Sequence, residues 1–521
     1  MRNYGGAVAT TARSEFGDYQ TPREFAAQVC KFLRRRNTTP ASVIEPTCGV
    51  GNFLIAALAS FPTITQALGV DINADHVAAA RSSIDEISTP ARIELVTASF
   101  FDFPWRQAIA AMPAPSLIIG NPPWVTNARL GLLGSNNIPG KTNFRGIRGL
   151  DALTGKSNFD ISEWMLMRLV EALHGSHATL AMLCKNSVAR KILTFAWNRR
   201  LNIALAEAIH IDAAHHFGAA VEACLLYLRF GAKPSFPVAN FLPDLTTSHA
   251  MVQWGMTDGI FLADTRSYEK WRDLWTGKSP IWRSGIKHDC AAIMEVVPIG
   301  EHHYRNGRDE IVELDDSSVF PLLKGSQIAR NNCTSTNRFM IVPQRTVGEN
   351  TDHLRKTAPR TWNYLHGNAP HLARRASSIY KGKPPFSIFG IGEYSFAPWK
   401  IAISGLHKSL DFRVVGNLAG KPFVLDDTCY FVPCPDEYHA QAIAQLLNSP
   451  QAKEALGSFI FWDSKRPITV EVLRHLDVAA LARVLHAEKR VLEAACYIQR
   501  ACIKNAGHWN TPVSLFLPSG Q

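Results

Sequence analysis

The sequence lacks any apolar run approaching the roughly 18–20 residues needed to span a bilayer. Its opening, MRNYGGAVATTARSEFGDYQ, lacks the apolar stretch of a secretory signal. A soluble, cytoplasmic protein with no membrane partner is therefore expected. Cysteine is present but unpatterned: none of the ten lies in a CxxC pair, and the closest two are Cys429 and Cys434. This excludes a zinc ribbon and argues against a disulfide framework, so most should be buried thiols. The GxSxG nucleophile elbow and the full GxxxxGK[ST] phosphate loop are also missing. Charged residues make up only 19% against 46% hydrophobic, which excludes a charge-rich disordered chain. Acidic residues are the scarcer sign, 44 against 55 basic, a net +11 that favours a polyanionic partner through counterion release and steering. At 521 residues, two to four domains are expected.

Residues 41 to 124 repeat a rhythm of short β-rich run, turn and helical stretch, the sign of a parallel sheet with crossover helices. Strands are expected at Ala41–Glu45, Ala67–Val70, Ile93–Thr97 and Ser116–Gly120, with helices at Asn52–Ala59 and Ala74–Ile84. Each strand delivers polar or Gly/Pro-rich residues at its carboxyl end, the rim where open α/β sheets bind ligands. From Thr126 to Asn158 a long Gly/Asn-rich connection carries Lys141, Arg145, Arg148 and Lys156. Loops of that length tend to be functional or disordered, and this one is a candidate to close over a polyanion. The sheet pattern then resumes through a helix at Ile161–Leu173 and strands at Ala178–Cys184, Leu205–Ile211 and Cys224–Phe230. The fold class is α/β, a doubly wound Rossmann-like domain over residues 1–237. An α+β domain follows over 238–521, ending in a packing helix at Val478–Cys502. Its basic clusters are interleaved with aromatics: Arg355 to Tyr364, Arg374 and Arg375 before Tyr380, and Lys465 and Arg466 after Trp462. One cluster would suit solvated surface; three in one domain point to phosphate contact.

In EPTCGVGNF, Gly49 and Gly51 sit at a strand-to-helix turn, where missing side chains let a ligand approach backbone and helix end. Asp71, twenty residues after Gly51 at the end of the next strand, is placed to accept from ribose hydroxyls. The third glycine of GxGxxG is absent, which disfavours a pyrophosphate cofactor, and alone the loop would also suit a plain tight turn. Asp102 in SFFDF follows the third strand and could accept from an adenine amine beside Phe101 or Phe103, or form an ordinary acidic turn.

Asn121, Pro122, Pro123 and Trp124 are more restrictive. Two prolines stiffen the backbone so that the Asn121 amide oxygen and the Pro122 carbonyl converge on one spot. That spot suits an amino group with two hydrogens. A base's exocyclic amine is a poor nucleophile, because its lone pair is delocalised into the ring; two acceptors on its hydrogens favour a tetrahedral nitrogen and stabilise the developing charge. Trp124 supplies a stacking face. No metal is needed.

These motifs resemble those of S-adenosylmethionine-dependent DNA amino-methyltransferases of the N6-adenine type, in the gamma order of cofactor motifs, catalytic motif, then recognition domain. FGDYQTP at Phe16–Pro22 resembles the segment before the glycine loop, which implies Thr21 at the methionine carboxylate. By the same resemblance Glu45 and the Cys48–Gly51 loop face the methionine portion, Asp71 the ribose, and Asp102 and Phe103 the adenine. LAMLCKNSVARK and HHFGAAVEACLLYL resemble later blocks, the second offering Phe217 as a second face for a flipped base. FSIFGIGEYSFAPWKIAISGLHK, FVLDDTCYFVP and FWDSKRPIT resemble the target-recognition domain of restriction–modification methyltransferases. Trp124 stands where Tyr or Phe is frequent.

The resemblance implies S-adenosylmethionine as cofactor with no metal, double-stranded DNA as partner, base extrusion, and a separate cognate restriction endonuclease; a monomer is expected. Cytosine N4, ribosomal RNA and a protein glutamine stay open as acceptors, since each presents an NH₂. A specificity protein with a vestigial cofactor fold is disfavoured by Gly49, Gly51, Asp71 and Asn121. His210, Asp212, His215 and His216 as a metal site, and Asp436, Asp463 and Lys465 as a fused nuclease, are set aside.

Overall fold

A computed structural model describes residues 20–125, 160–231 and 236–504. The chain divides into two compact units after Thr265.

In the first unit the strands are β1 (Ser42–Glu45), β2 (Gln66–Asp71), β3 (Arg92–Thr97), β4 (Ser116–Gly120), β5 (Ala178–Lys185), β6 (Ile203–Ile211), β7 (Ala223–Phe230), β8 (Val238–Leu242), β9 (Val252–Thr257) and β10 (Ile260–Leu262). They form one sheet in the order β10-β9-β8-β6-β7-β5-β4-β1-β2-β3. Strands β1 to β5 pair in parallel, whereas β7 runs antiparallel between β5 and β6. This is a doubly wound, Rossmann-like α/β arrangement. The central strands β1 and β4 are buried throughout, with Val43, Ile44 and Leu117 to Ile119 forming the apolar centres expected of parallel strands covered on both faces. The helix Arg23–Arg35, whose apolar residues recur at helical spacing, buries Phe25, Val29 and Leu33 in the same core as Phe53 and Leu54 of the helix Asn52–Ser60.

The expected domain boundary at 237/238 moves to 265/266. Strand β8 pairs in parallel with β6 (Glu207 opposite Asn240), and the hairpin β9–β10 adds beyond it. The short-strand composition that signalled a new domain instead extends the first sheet and covers what would be its edge.

In the second unit two sheets carry the core. One orders β11 (Arg283–Ser284), β22 (Cys429–Cys434), β17 (Trp399–Ser404) and β18 (Arg413–Val415). The other orders β14 (Ile311–Glu313), β13 (His303–Asn306), β12 (Glu295–Gly300), β16 (Phe339–Ile341), β15 (Val319–Leu323) and β21 (Val424–Leu425). A small ribbon pairs β19 (Asn417–Leu418) with β20 (Lys421–Pro422). With the helices between and after these strands, the unit is α+β.

The chain passes from one sheet to the other at Gly285. Just after β11, the Ile286 N–H donates to the Leu425 carbonyl at 2.6 Å. A Cβ on Gly285 would lie 2.0 Å from the Asp426 carbonyl oxygen and 2.5 Å from that of Leu425. Both obstacles are backbone, so no rotamer change relieves them. Gly285→Ala is therefore expected to destabilise this unit by about 2 kcal/mol, as overpacking does, seen as a lower denaturant midpoint in a titration followed by limited proteolysis.

The expected single helix at Val478–Cys502 is two, Val478–Val484 and Lys489–Lys504, broken where His486 takes φ 48°. The break lets the second helix fold back: the Gln499 side chain accepts from the Ala479 N–H at 3.1 Å, satisfying an otherwise orphaned helix-start donor. Of the nine cysteines whose side-chain surroundings are described, all are free and seven are buried.

Candidate active site

Strand order reverses between β1 and β4, so the chain diverges at their carboxyl ends, the position at which open α/β sheets bind ligands. Strand β1 ends in Glu45 and β4 runs into Asn121, and the register (Ser42 opposite Ser116, Ile44 opposite Ile118) brings these ends level. A Cβ placed on Gly120 would sit 3.7 Å from Glu45 Cγ, so the last residue before the tetrapeptide lies against the glutamate.

The glycine turn is built as its residues require. Gly49 (φ 49°) and Gly51 (φ 79°) both take the left-handed conformation, and Gly51 opens the helix Asn52–Ser60. Asp71 at the end of β2 fixes the turn. Its Oδ2 accepts from the Gly49 N–H at 2.9 Å and its Oδ1 from the Asn73 N–H at 2.9 Å. Glu45 Oε2 accepts from the Leu54 N–H at 3.1 Å. Burial pushes the Glu45 carboxyl well above the usual range; the Leu54 hydrogen bond opposes this and the neighbouring Asp71 charge adds to it. From the other side, Asn52 Nδ2 donates to the Thr21 carbonyl at 2.7 Å, and the Val50 N–H donates to Gln20 Oε1 at 3.3 Å. Thr21, Glu45, Cys48, Gly49, Gly51 and Asp71 are thus gathered around one turn.

Asp102 and Phe103 lie in the turn after β3, two strands from β1; Asp102 is exposed and Phe103 packs on Trp105 at 4.6 Å between ring centroids. The sequence pattern passed over Thr47, whose hydroxyl oxygen is buried in the glycine turn with no hydrogen-bond partner among the described residues. A buried polar atom in that state is unusual in a folded protein. It fits a turn built to receive a polar ligand, as do the two glycine positions bare of side chains and the Asp71 carboxylate at the end of the next strand. These residues accordingly fit S-adenosylmethionine.

Trp124 is buried, and its indole meets Phe217 edge to face, with centroids 5.6 Å apart and planes at 73°. Phe217 comes from the short helix Ala213–Phe217, far along the chain, and also packs on Phe25. The expected pairing of the two aromatics is therefore present in space, but as a T-shaped pair rather than two parallel faces. Seating a base between them requires one ring to turn. Trp124 Nε1 is buried without a hydrogen-bond partner among the described residues. His216 packs on Phe25 with ring centroids 4.2 Å apart and planes tilted by 35°, and Asp212 caps its own helix through the His215 N–H. These side chains have packing and capping roles, and among the described residues no group of three His, Cys, Asp or Glu could hold a metal ion.

The expected phosphate contacts separate into kinds. Lys141 and Arg145, with the rest of the 126–158 connection, lie outside the described residues. Arg374 and Lys465 are exposed. Arg375 is instead turned inward: it donates to the carbonyls of Leu372 (2.9 Å), Ser387 (2.7 Å) and His288 (3.3 Å) and lies over the Tyr380 ring. Arg466 pairs with Asp427, to its carbonyl at 3.3 Å and its carboxylate at 3.5 Å. Guanidinium donors engaged this way hold loops together. The sequence could not separate Arg374 from Arg375, because orientation differs between neighbours while residue type does not. Asp436, from the nuclease-like pattern, caps the helix Glu437–Leu447 through the His439 N–H.

No protein-family model matches the chain. Among curated proteins it is similar to the type II methyltransferase M.NspV of Nostoc sp., at 42% identity over 472 residues, 90% of this chain and 98% of that one. Among solved structures it is similar to the type IIL restriction–modification enzyme MmeI in complex with DNA (12% identity, TM-score 0.47, 97% of this chain and 78% of that chain). A second is the M protein of the type I restriction enzyme EcoKI (13% identity, TM-score 0.31, 47% and 52%).

Proposed function

This chain belongs to the type II methyltransferase family, and on that premise we propose that it is a site-specific DNA adenine-N6 methyltransferase, the modification enzyme of a restriction–modification system. The observation that carries the reading is the tetrapeptide Asn121-Pro122-Pro123-Trp124 leaving β4 at the switch point, level with Glu45 and the glycine turn.

Bound S-adenosylmethionine would supply a methyl group on a sulfonium, a good leaving group. Asp71 would hold the ribose hydroxyls, Asp102 and Phe103 the adenine, and Thr21, Glu45 and the Cys48–Gly51 backbone the methionine portion. Asn121 Oδ1 and the Pro122 carbonyl would accept hydrogen bonds from the two N–H groups of the target amine and stabilise the positive charge that develops as the nitrogen attacks the methyl carbon and the C–S bond breaks, the surplus N–H proton then passing to solvent. Trp124 and Phe217 hold the extruded base by its faces. Orientation accounts for much of the remaining rate, because the reacting groups must lie in line. Net charge of +11 suits a DNA partner, with Arg374 and Lys465 as exposed candidates for phosphate contact. The enzyme would act as a monomer beside a separate endonuclease.

Modification-sensitive sequencing of DNA from cells expressing the protein tests this reading. N6-methyladenine in one recurring sequence is the expected result; N4-methylcytosine there, or label transferred only to RNA or protein, overturns it.

A further inference from the structure

Asn121 and Pro122 can act only if the backbone that carries them is held still, and this segment is hard to hold. Pro122 and Pro123 have no N–H, so main-chain donors that would normally tie a strand extension to its neighbours are missing. Ties through the carbonyls therefore carry more of the burden of fixing it. Two such ties are present just after the prolines. The Val125 carbonyl accepts from the Ile161 N–H at 2.9 Å. The Trp124 carbonyl accepts from the ammonium of Lys185, Nζ to O 3.1 Å.

Lys185 ends β5, the strand beside β4 on the side away from β1, so its stem reaches across to the tetrapeptide. Its charge is met by Asp160: Nζ to Oδ2 is 2.7 Å, with the two side chains 24% and 9% exposed. Asp160 is itself fixed, because its Oδ1 caps the helix Ile161–Ala172 through the Ser162 N–H at 3.0 Å and also accepts from the Ser162 hydroxyl at 2.5 Å. A helix start, a strand end and the catalytic backbone thus meet at one ammonium. An ammonium donating to a carbonyl makes one of the stronger hydrogen bonds available to it.

We infer that Lys185, held by Asp160, is a positioning residue for methyl transfer: it fixes the Trp124 carbonyl and thereby the placement of the Asn121 and Pro122 acceptors and the Trp124 ring. The inference rests on the proposed transfer to a base amine, and it extends that reading to residues that never touch the base. A misplacement of about 1 Å at acceptors of this kind can cost on the order of a hundredfold in rate.

The test compares wild type with Lys185→Met, Lys185→Arg and Asp160→Asn, using cellular DNA from a host lacking the protein. Tritium transfer gives kcat and KM, and calorimetry gives S-adenosylmethionine affinity. Lys185→Met should lower kcat about thirtyfold to a hundredfold, with KM for DNA and cofactor affinity each within about threefold of wild type. Lys185→Arg, which keeps a charged donor, should recover most of the rate, and Asp160→Asn should lose about tenfold. Wild-type kcat in Lys185→Met overturns the inference, and so does a raised KM for DNA at unchanged kcat, which would make Lys185 a phosphate contact. Should Lys185→Met not fold, Asp160→Asn decides: unchanged kcat in that soluble variant overturns the inference. If wild type itself transfers no label to DNA, the parent reading fails instead, and the two failures are told apart.

Discussion

Asn121→Ala is expected to lower methyl transfer by about a thousandfold while cofactor affinity stays within about twofold of wild type. Removing one preorganised acceptor or donor from the site where charge develops typically costs about 10²–10³-fold. The upper end applies here because the amine has one matching acceptor for each of its hydrogens, and the Pro122 carbonyl cannot serve both. Asn121 follows β4 directly, in the half-buried position between Gly120 and the prolines, so truncation deletes an amide without opening the sheet core. Cofactor affinity should hold, since Asp71 and Glu45 brace the turn through the Gly49 and Leu54 N–H groups, and both bonds survive the substitution. Single-turnover tritium transfer with calorimetric cofactor titration measures both quantities. Retained turnover in a purified, folded Asn121→Ala protein would refute the assignment of the tetrapeptide.

Asp71→Ala should weaken S-adenosylmethionine binding by about a hundredfold or more, the second largest effect. Two losses combine. The ribose hydroxyls lose their charged acceptor, and charge-assisted hydrogen bonds are the strong ones. The Gly49 and Asn73 N–H groups, which now donate to the two carboxylate oxygens at 2.9 Å each, lose their partner, so the left-handed turn at Gly49 is no longer pinned. Asp71→Asn keeps one oxygen acceptor and should fall between alanine and wild type. At saturating cofactor the alanine variant should regain much of its turnover, because the tetrapeptide is untouched. Unchanged cofactor affinity in Asp71→Ala would remove the glycine turn from the cofactor's site.

The elements around the site were legible because they depend on local chemistry. Apolar runs bounded by glycine, proline and aspartate mark β1, β2 and β4 to within a residue or so of where they form. The helix Arg23–Arg35 precedes the first strand, outside the strand–turn–helix rhythm of residues 41 to 124; its apolar spacing marks an amphipathic helix but not the core that it joins. The domain boundary was misplaced because β8 to β10 have the short-strand composition of the second unit but pair with β6. Partner choice between strands is a long-range matter that composition does not carry. The tail helix was read as one because apolar spacing continues across His486, and only the backbone reversal there reveals two.

The sequence by itself determined which residue types stand at the ends of which strands: a glycine turn after β1, an acid after β2, an Asn-Pro-Pro-Trp after β4. These follow from steric rules acting over a few residues. Tertiary structure alone decided which of those ends become neighbours: Glu45 against Gly120, Phe217 against Trp124, Lys185 between Asp160 and the Trp124 carbonyl. It also decided that Arg375 faces carbonyls while Arg374 faces solvent. The physical reason is that a parallel sheet joins residues tens to more than a hundred positions apart through pairings no local pattern encodes, and a side chain's partners depend on what those pairings bring beside it.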